Sequence, residues 1–192
     1  MTVRCEQLTP KKIAPHGFCK NGVMFISIPK NNSTVIRGAG SIRIKNRSDQ
    51  HGAPLTPFTF AVIRNPAERL ISGAREWQKR NRPDSKMTIE EIIEHFDLWL
   101  PEFDEHIERQ SWFLPSYQCH LFSFEKQEAV CKFLARHSNA NWAARLKRAL
   151  RPFEPYPDFL YKIAFKASQK RYEDDWRLYS AVTHSKDGWT VA

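Results

Sequence analysis

Two short apolar runs, each opening into a polar loop and a helix start, constrain the fold of this chain more than any other feature. The first covers residues 23–28 (VMFISI) and continues into 29–34 (PKNNST); the second covers 58–63 (FTFAVI) and continues into 64–72 (RNPAERLIS). A run of β-branched and aromatic residues without polar alternation is the pattern of a parallel strand covered on both faces, with its carboxyl end opening onto a crevice. A helix starting there presents unpaired N–H groups and the positive end of its dipole, so an anion is stabilised before any side chain is counted. Lys30, Ser33 and Thr34 add an ammonium and two hydroxyls at the first junction, and Asn31 and Asn32 add amide donors. At the second, Arg64 adds a planar, permanently charged fork suited to phosphate.

The second junction carries its own start signal. Asn65 is a good N-cap, Pro66 fits the first helical position, and Glu68 stands three residues after the cap. The pattern predicts a helix from Pro66 to about Arg80, with Ser72 two turns in, on a face that turns toward the same crevice as Arg64. Two anion sites imply a ligand with two phosphate ends.

At these residues the chain resembles the sulfotransferases that use 3′-phosphoadenosine 5′-phosphosulfate (PAPS), in particular their carbohydrate-modifying branch. That family has a Pro-Lys-x-x-x-Thr loop around the 5′-phosphosulfate and an Arg-[Asp/Asn]-Pro-x-x-Arg-x-x-Ser segment on the 3′-phosphate. The resemblance continues through residues 104–110 (DEHIERQ), similar to the family's Asp-x-His-x-x-x-Gln, through 121–125 (LFSFE), and through 172–176 (YEDDW), running in all from about residue 23 to about residue 182. It implies a PAPS-dependent transferase with Lys30, Asn31, Asn32, Ser33 and Thr34 at the phosphosulfate and Arg64 and Ser72 at the 3′-phosphate. It also implies PAP as product and a hydroxyl or amine acceptor, first of all a carbohydrate; no His, Cys or Asp cluster has metal-ligand spacing, and sulfuryl transfer does not require a metal, so none is expected. The family's middle loop residue is often Gly, where this chain has Asn31 and Asn32. Asn tolerates left-handed backbone angles better than most residues, so the loop geometry is expected to survive.

Sulfuryl transfer needs charge stabilisation on the leaving phosphate and usually a base for the acceptor proton. Lys30 is the candidate for the first task. For the second, His106 in the DEHIERQ segment and His51 between the two junctions are the candidates, since imidazole has an ordinary pKa of about 6.5. Glu102, Asp104, Glu105 or no dedicated base remain open. The other histidines are read as surface or packing residues.

At 192 residues the chain fits one domain, long enough to bury about 70% of the surface its unfolded form exposes. Strands alternating with helices predict a compact α/β, P-loop-like three-layer domain with a short parallel sheet flanked by helices. Residues 1–20 are read as an N-terminal extension and 183–192 as a C-terminal tail. Residues 43–57 form a linker rich in turn formers, Thr88 and Glu91 make a capping box, a short strand is expected near 119–124, and a last helix near 168–181 carries Tyr172, Trp176 and Tyr179 as a packing stripe. Trp77, Trp99, Trp112 and Tyr117 are candidates for stacking on an acceptor sugar or for filling the core. No run reaches the roughly 20 apolar residues needed to cross a bilayer, and the start has no signal-peptide core, so a soluble, cytoplasmic protein is expected. Cys5, Cys19, Cys119 and Cys131 lack paired metal spacing, and free thiols are expected.

A formal charge of +9 attracts PAPS, acidic glycans and nucleic acid alike. Two other function classes are weighed on the sequence. A P-loop NTP-dependent, kinase-like enzyme would carry Gly-x-x-x-x-Gly-Lys-[Ser/Thr], whereas here Lys30 opens the loop. A non-enzymatic nucleic-acid-binding module would gather its basic residues into one stripe or show a known signature, and this chain does neither.

Overall fold

The computed structural model describes residues 17–31, 33–40, 58–95, 106–115, 118–150, 154–185 and 189–191. Its elements are β1 (Gly17–Lys20), β2 (Val23–Ile26), α1 (Ser33–Gly40), β3 (Phe58–Ile63), α2 (Pro66–Asn81), α3 (Ile89–Glu94), β4 (His120–Ser123), α4 (Gln127–His137), α5 (Ala140–Ala149), α6 (Asp158–Arg171), α7 (Glu173–Thr183) and β5 (Trp189–Val191). Short 3-10 turns at Gln110–Phe113 and Phe124–Lys126 complete the series.

The strands form one five-stranded sheet in the order β1-β2-β3-β4-β5. The central three are parallel, with Ile26 level with Ala61 and Ile63 level with Ser123; the outer two pair antiparallel to them. Because side chains alternate along a strand, the two apolar runs feed both faces. Val23, Phe25, Phe60, Val62 and Phe122 pack under α1, α4 and α5 through Ile36, Val130, Leu134, Trp142 and Leu146. Met24, Ile26, Ala61, Ile63 and Leu121 pack on the other face against Phe113, Leu178 and Val182. This is the three-layer α/β arrangement expected from the strand pattern. A third cluster, around Leu70, Trp77, Ile92 and Leu160, joins α2, α3 and α6 and reaches α7 through Tyr172 and Trp176.

Local signals account for the helix starts. The Asn65 side chain accepts from the N–H groups of Ala67 and Glu68, with Pro66 at the start of α2, and Thr88 and Glu91 form the reciprocal capping box on α3. Two expectations are corrected. Residues 17–20 and 189–191, assigned to an extension and a tail, supply the edge strands of the sheet. The single last helix is two, α6 and α7, meeting at Tyr172, whose buried hydroxyl is turned away to the carbonyl of Ile107. Trp176 and Tyr179 do pack, Trp176 lying 5.2 Å from Phe165 and 6.0 Å from Tyr179 between ring centroids. The 43–57 linker and Cys5 lie outside the described residues, and Cys119 and Cys131 are free and buried. Among the described residues, no helix is long and apolar enough to cross a membrane.

One close approach fixes how the 106–114 segment sits on α2. A Cβ placed on Gly73 would lie 2.6 Å from the carbonyl oxygen of His106 and 2.6 Å from Ile107 Cγ2. Gly73→Ala is therefore expected to lose about 1–3 kcal/mol in urea unfolding through overpacking, although Ala is the better helix former by about 1 kcal/mol. Gly38→Ala, whose added Cβ meets nothing within 4 Å, should gain about 0.5–1 kcal/mol. Equal stabilities for the two variants would contradict the packing.

Candidate functional site

Parallel strands in register bring their carboxyl ends to one edge, so residues 27–31, Ser33, Thr34, Arg64, Asn65 and the turn after Ser123 gather there. The open edge of a parallel sheet is where such folds take ligands. At the first junction the chain leaves β2, turns at Pro29 and Lys30, and enters α1 at Ser33, which is buried while Thr34 is exposed.

The turn is held from behind by the second junction. Arg64 Nη1 donates to the Lys30 carbonyl at 3.1 Å, and Arg69 Nε donates to the Pro29 carbonyl at 3.2 Å. Between them these bonds stabilise a left-handed backbone at Lys30, with φ 67°. That conformation costs a residue with a side chain about 1–3 kcal/mol and persists only where its surroundings enforce it. The left-handed position thus falls on Lys30 and not on Asn31. Asn31 is buried, its N–H reaches the carbonyl of Ile28 at 3.3 Å, and its side-chain amide donates to Val62 O at 2.7 Å and to Gln110 Oε1. Its donors are engaged within the protein, which corrects the expectation that Asn31 offers amide protons to an anion: it places the loop. Asn32 lies outside the described residues.

Behind this turn lies a buried polar chain. Gln110 Oε1 accepts the Arg64 N–H at 2.9 Å, and Gln110 Nε2 donates to the Arg64 carbonyl at 2.8 Å, so the amide pairs with the end of β3 as a neighbouring strand would. The Gln110 and Ser111 N–H groups donate in turn to Asp175 Oδ2 at 2.7 Å and Oδ1 at 2.9 Å. Both carboxylate oxygens therefore face donors, the arrangement the ionised form satisfies in full. Burial raises the Asp175 pKa from its ordinary value, while the Arg69 charge and these backbone bonds oppose the rise. Arg69 is itself fully buried, and its pKa is lowered by that burial against the pull of Asp175. Asp174 beside Arg109 at 3.7 Å and Glu108 beside Arg171 at 3.9 Å tie the same segment to α6 and α7.

The front of the site is a face of α2. Glu68, Ser72 and Glu76 follow one another at intervals of four and share one side of the helix. Lys30 Nζ lies 3.1 Å from Glu76 Oε2, and Arg64 Nε lies 3.6 Å from Glu68 Oε2. Arg64 also stacks over Phe124 at 4.6 Å and lies 5.9 Å from the Tyr156 ring centroid. Ser72 therefore sits between two carboxylates that each hold one of the two cations. Glu125, just past β4, accepts from the Tyr179 hydroxyl at 3.3 Å and bonds Ser123 Oγ. Burial pushes the Glu68 pKa up, the Arg64 charge pulls it back, and Glu125 adds to the rise. Lys30 and Arg80 hold the Glu76 carboxyl below its ordinary value.

His106 is buried, with its backbone packed against α2 at Gly73, the residue after Ser72. His51, Trp99 and Tyr117 lie outside the described residues. Trp77 fills the helical core, and Trp112 carries Arg109 over its ring at 5.4 Å. His120 and His137 belong to an aromatic cluster with Phe58 and Phe133. Among the described residues no group of His, Cys, Asp and Glu is arranged to hold a metal ion. Comparison with family models, curated proteins and solved structures returns no match.

Sequence reasoning missed the partners of the two cations. The spacing of Glu68, Ser72 and Glu76 was the signal available, since it puts two carboxylates on the face assigned to Ser72. Any anion drawn to Arg64 would compete with Glu68, and such competition depends on pH. As pH rises through the raised pKa of Glu68, the carboxylate forms and holds Arg64; below it, neutral Glu68 behaves like glutamine. The ratio of PAP affinities, Glu68→Gln over wild type, is therefore expected to lie nearest one at the acid end of a calorimetric pH series and to rise several-fold as pH climbs through the raised Glu68 pKa. A ratio flat across that range would count against Glu68 as a competitor.

Proposed function

We propose that the protein is a sulfotransferase, moving the sulfuryl group of PAPS to a hydroxyl acceptor, a carbohydrate in the first instance. The observation that carries this reading is the meeting of two phosphate-type segments on adjacent parallel strand ends, where Arg64 reaches the Lys30 carbonyl at 3.1 Å. A ligand bearing phosphates at the 3′ and 5′ positions of one ribose suits two cationic junctions so placed, and the 3′-phosphate is what distinguishes PAPS from ATP.

In this reading Lys30, Ser33 and Thr34 hold the 5′-phosphosulfate with the first turn of α1, and Arg64 and Ser72 hold the 3′-phosphate. The acceptor oxygen attacks sulfur in line, the bond from sulfur to the bridging oxygen breaks, and PAP departs with the electron pair. Negative charge grows on that bridging oxygen, and an ammonium beside it is worth more in the transition state than in the ground state. Lys30 supplies it by exchanging Glu76 for the phosphosulfate. The acceptor proton goes to His106 or His51, with Glu102, Asp104, Glu105 or direct loss to solvent as the alternatives. The charge of +9 raises the local concentration of such an anionic donor.

The test is direct. PAP should raise the melting temperature more than Mg-ATP does, and labelled sulfate should pass from PAPS to a sugar acceptor. Arg64→Ala should weaken PAP binding about tenfold or more, the scale of a charge-assisted hydrogen bond. A folded protein that ignores PAP, or prefers Mg-ATP, would sink the proposal.

A further inference from the structure

Arg64, Arg69 and Asn31 bridge the two junctions directly, and Gln110, from outside either junction, touches both. Gln110 is completely buried, grips the Arg64 backbone through its N–H and C=O, and accepts from Asn31 in the first loop. Its own N–H, and that of Ser111, are fixed by Asp175. The two anion-holding segments are far apart in sequence, and this amide joins them without facing solvent. We propose that Gln110 is a positioning residue that holds the two junctions at one separation, so that a bisphosphate nucleotide is read by both ends at once; this rests on the function proposed above.

The physical reason is effective concentration. A ribose fixes the distance between its 3′- and 5′-phosphates, so the second phosphate gains from the first only if the protein holds its two cationic sites at the matching distance. Loosening that distance removes the gain while each single site still binds its own phosphate. Two sites merely carried by one stable fold would weaken together when the fold is damaged. The advantage of PAP over its single-phosphate relatives thus separates positioning from general stability.

The experiment measures dissociation constants of PAP, 5′-AMP and 3′-AMP for the wild type, Gln110→Ala and Asn31→Ala, with melting temperature recorded for each. Gln110→Ala is expected to cut the PAP advantage over 5′-AMP about tenfold while 5′-AMP itself changes less. Asn31→Ala breaks the tie from Gln110 to the first loop, together with the Asn31 bond to Val62 O, and leaves the Gln110 pair with Arg64, so it should remove part of that advantage even if Gln110→Ala does not fold. A folded variant of either kind that binds all three nucleotides in the wild-type proportions overturns the proposal, whatever its melting temperature. A wild-type protein that binds PAP no better than 5′-AMP overturns both the positioning role and the function on which it rests.

Discussion

The pairing of the Gln110 amide with the backbone of Arg64 is the contact on which the rest of this edge of the sheet depends. Strand β3 ends there, and an unpaired N–H and C=O buried at a strand end would each cost a lost hydrogen bond. Gln110 satisfies both, and its remaining lone pair takes the Asn31 amide. Asp175 fixes the turn that carries Gln110, and Arg69 offsets the carboxylate while bracing Pro29. A buried chain of this kind, with most of its donors and acceptors engaged, rigidifies its surroundings because its members cannot move without stranding one another. The left-handed Lys30 sits at the end of that chain, enforced by Arg64 from behind.

Charge on the solvent side has a different logic. Lys30 and Arg64 each face a carboxylate of α2, so their charges are balanced locally although the whole chain is strongly basic. Under the proposed function an incoming anion would exchange with Glu76 and Glu68, so the carboxylates that orient the two cations would also compete for them.

Much of the architecture was legible because its signals are local. The uniform apolar runs marked the parallel strands, and Asn65, Pro66, Thr88 and Glu91 marked helix starts that the structure contains. The edge strands were not legible: residues 17–20 and 189–191 are short, and their pairing depends on neighbours far away in sequence. Tyr172 was expected inside one long helix, since its spacing with Trp176 and Tyr179 is helical; the tertiary bond to Ile107 at a junction between two helices overrides that periodicity. The site divided in the same way. Lys30 and Arg64 could be singled out by residue type and setting, and the four-residue spacing of Glu68, Ser72 and Glu76 was a local signal for their carboxylate partners, whereas the inward turn of Asn31 and the bonds of Gln110 and Asp175 arise from contacts across the fold.

The most direct measurement of the central claim is a crystal structure of the protein with PAP bound. The account predicts the 5′-phosphate within hydrogen-bonding distance of the first turn of α1 and Lys30, with Lys30 released from Glu76, and the 3′-phosphate on Arg64 and Ser72, while Gln110 keeps its bonds to Arg64 and Asn31. PAP seated away from both strand ends, or holding only one junction with the other still closed on its carboxylate, would contradict it.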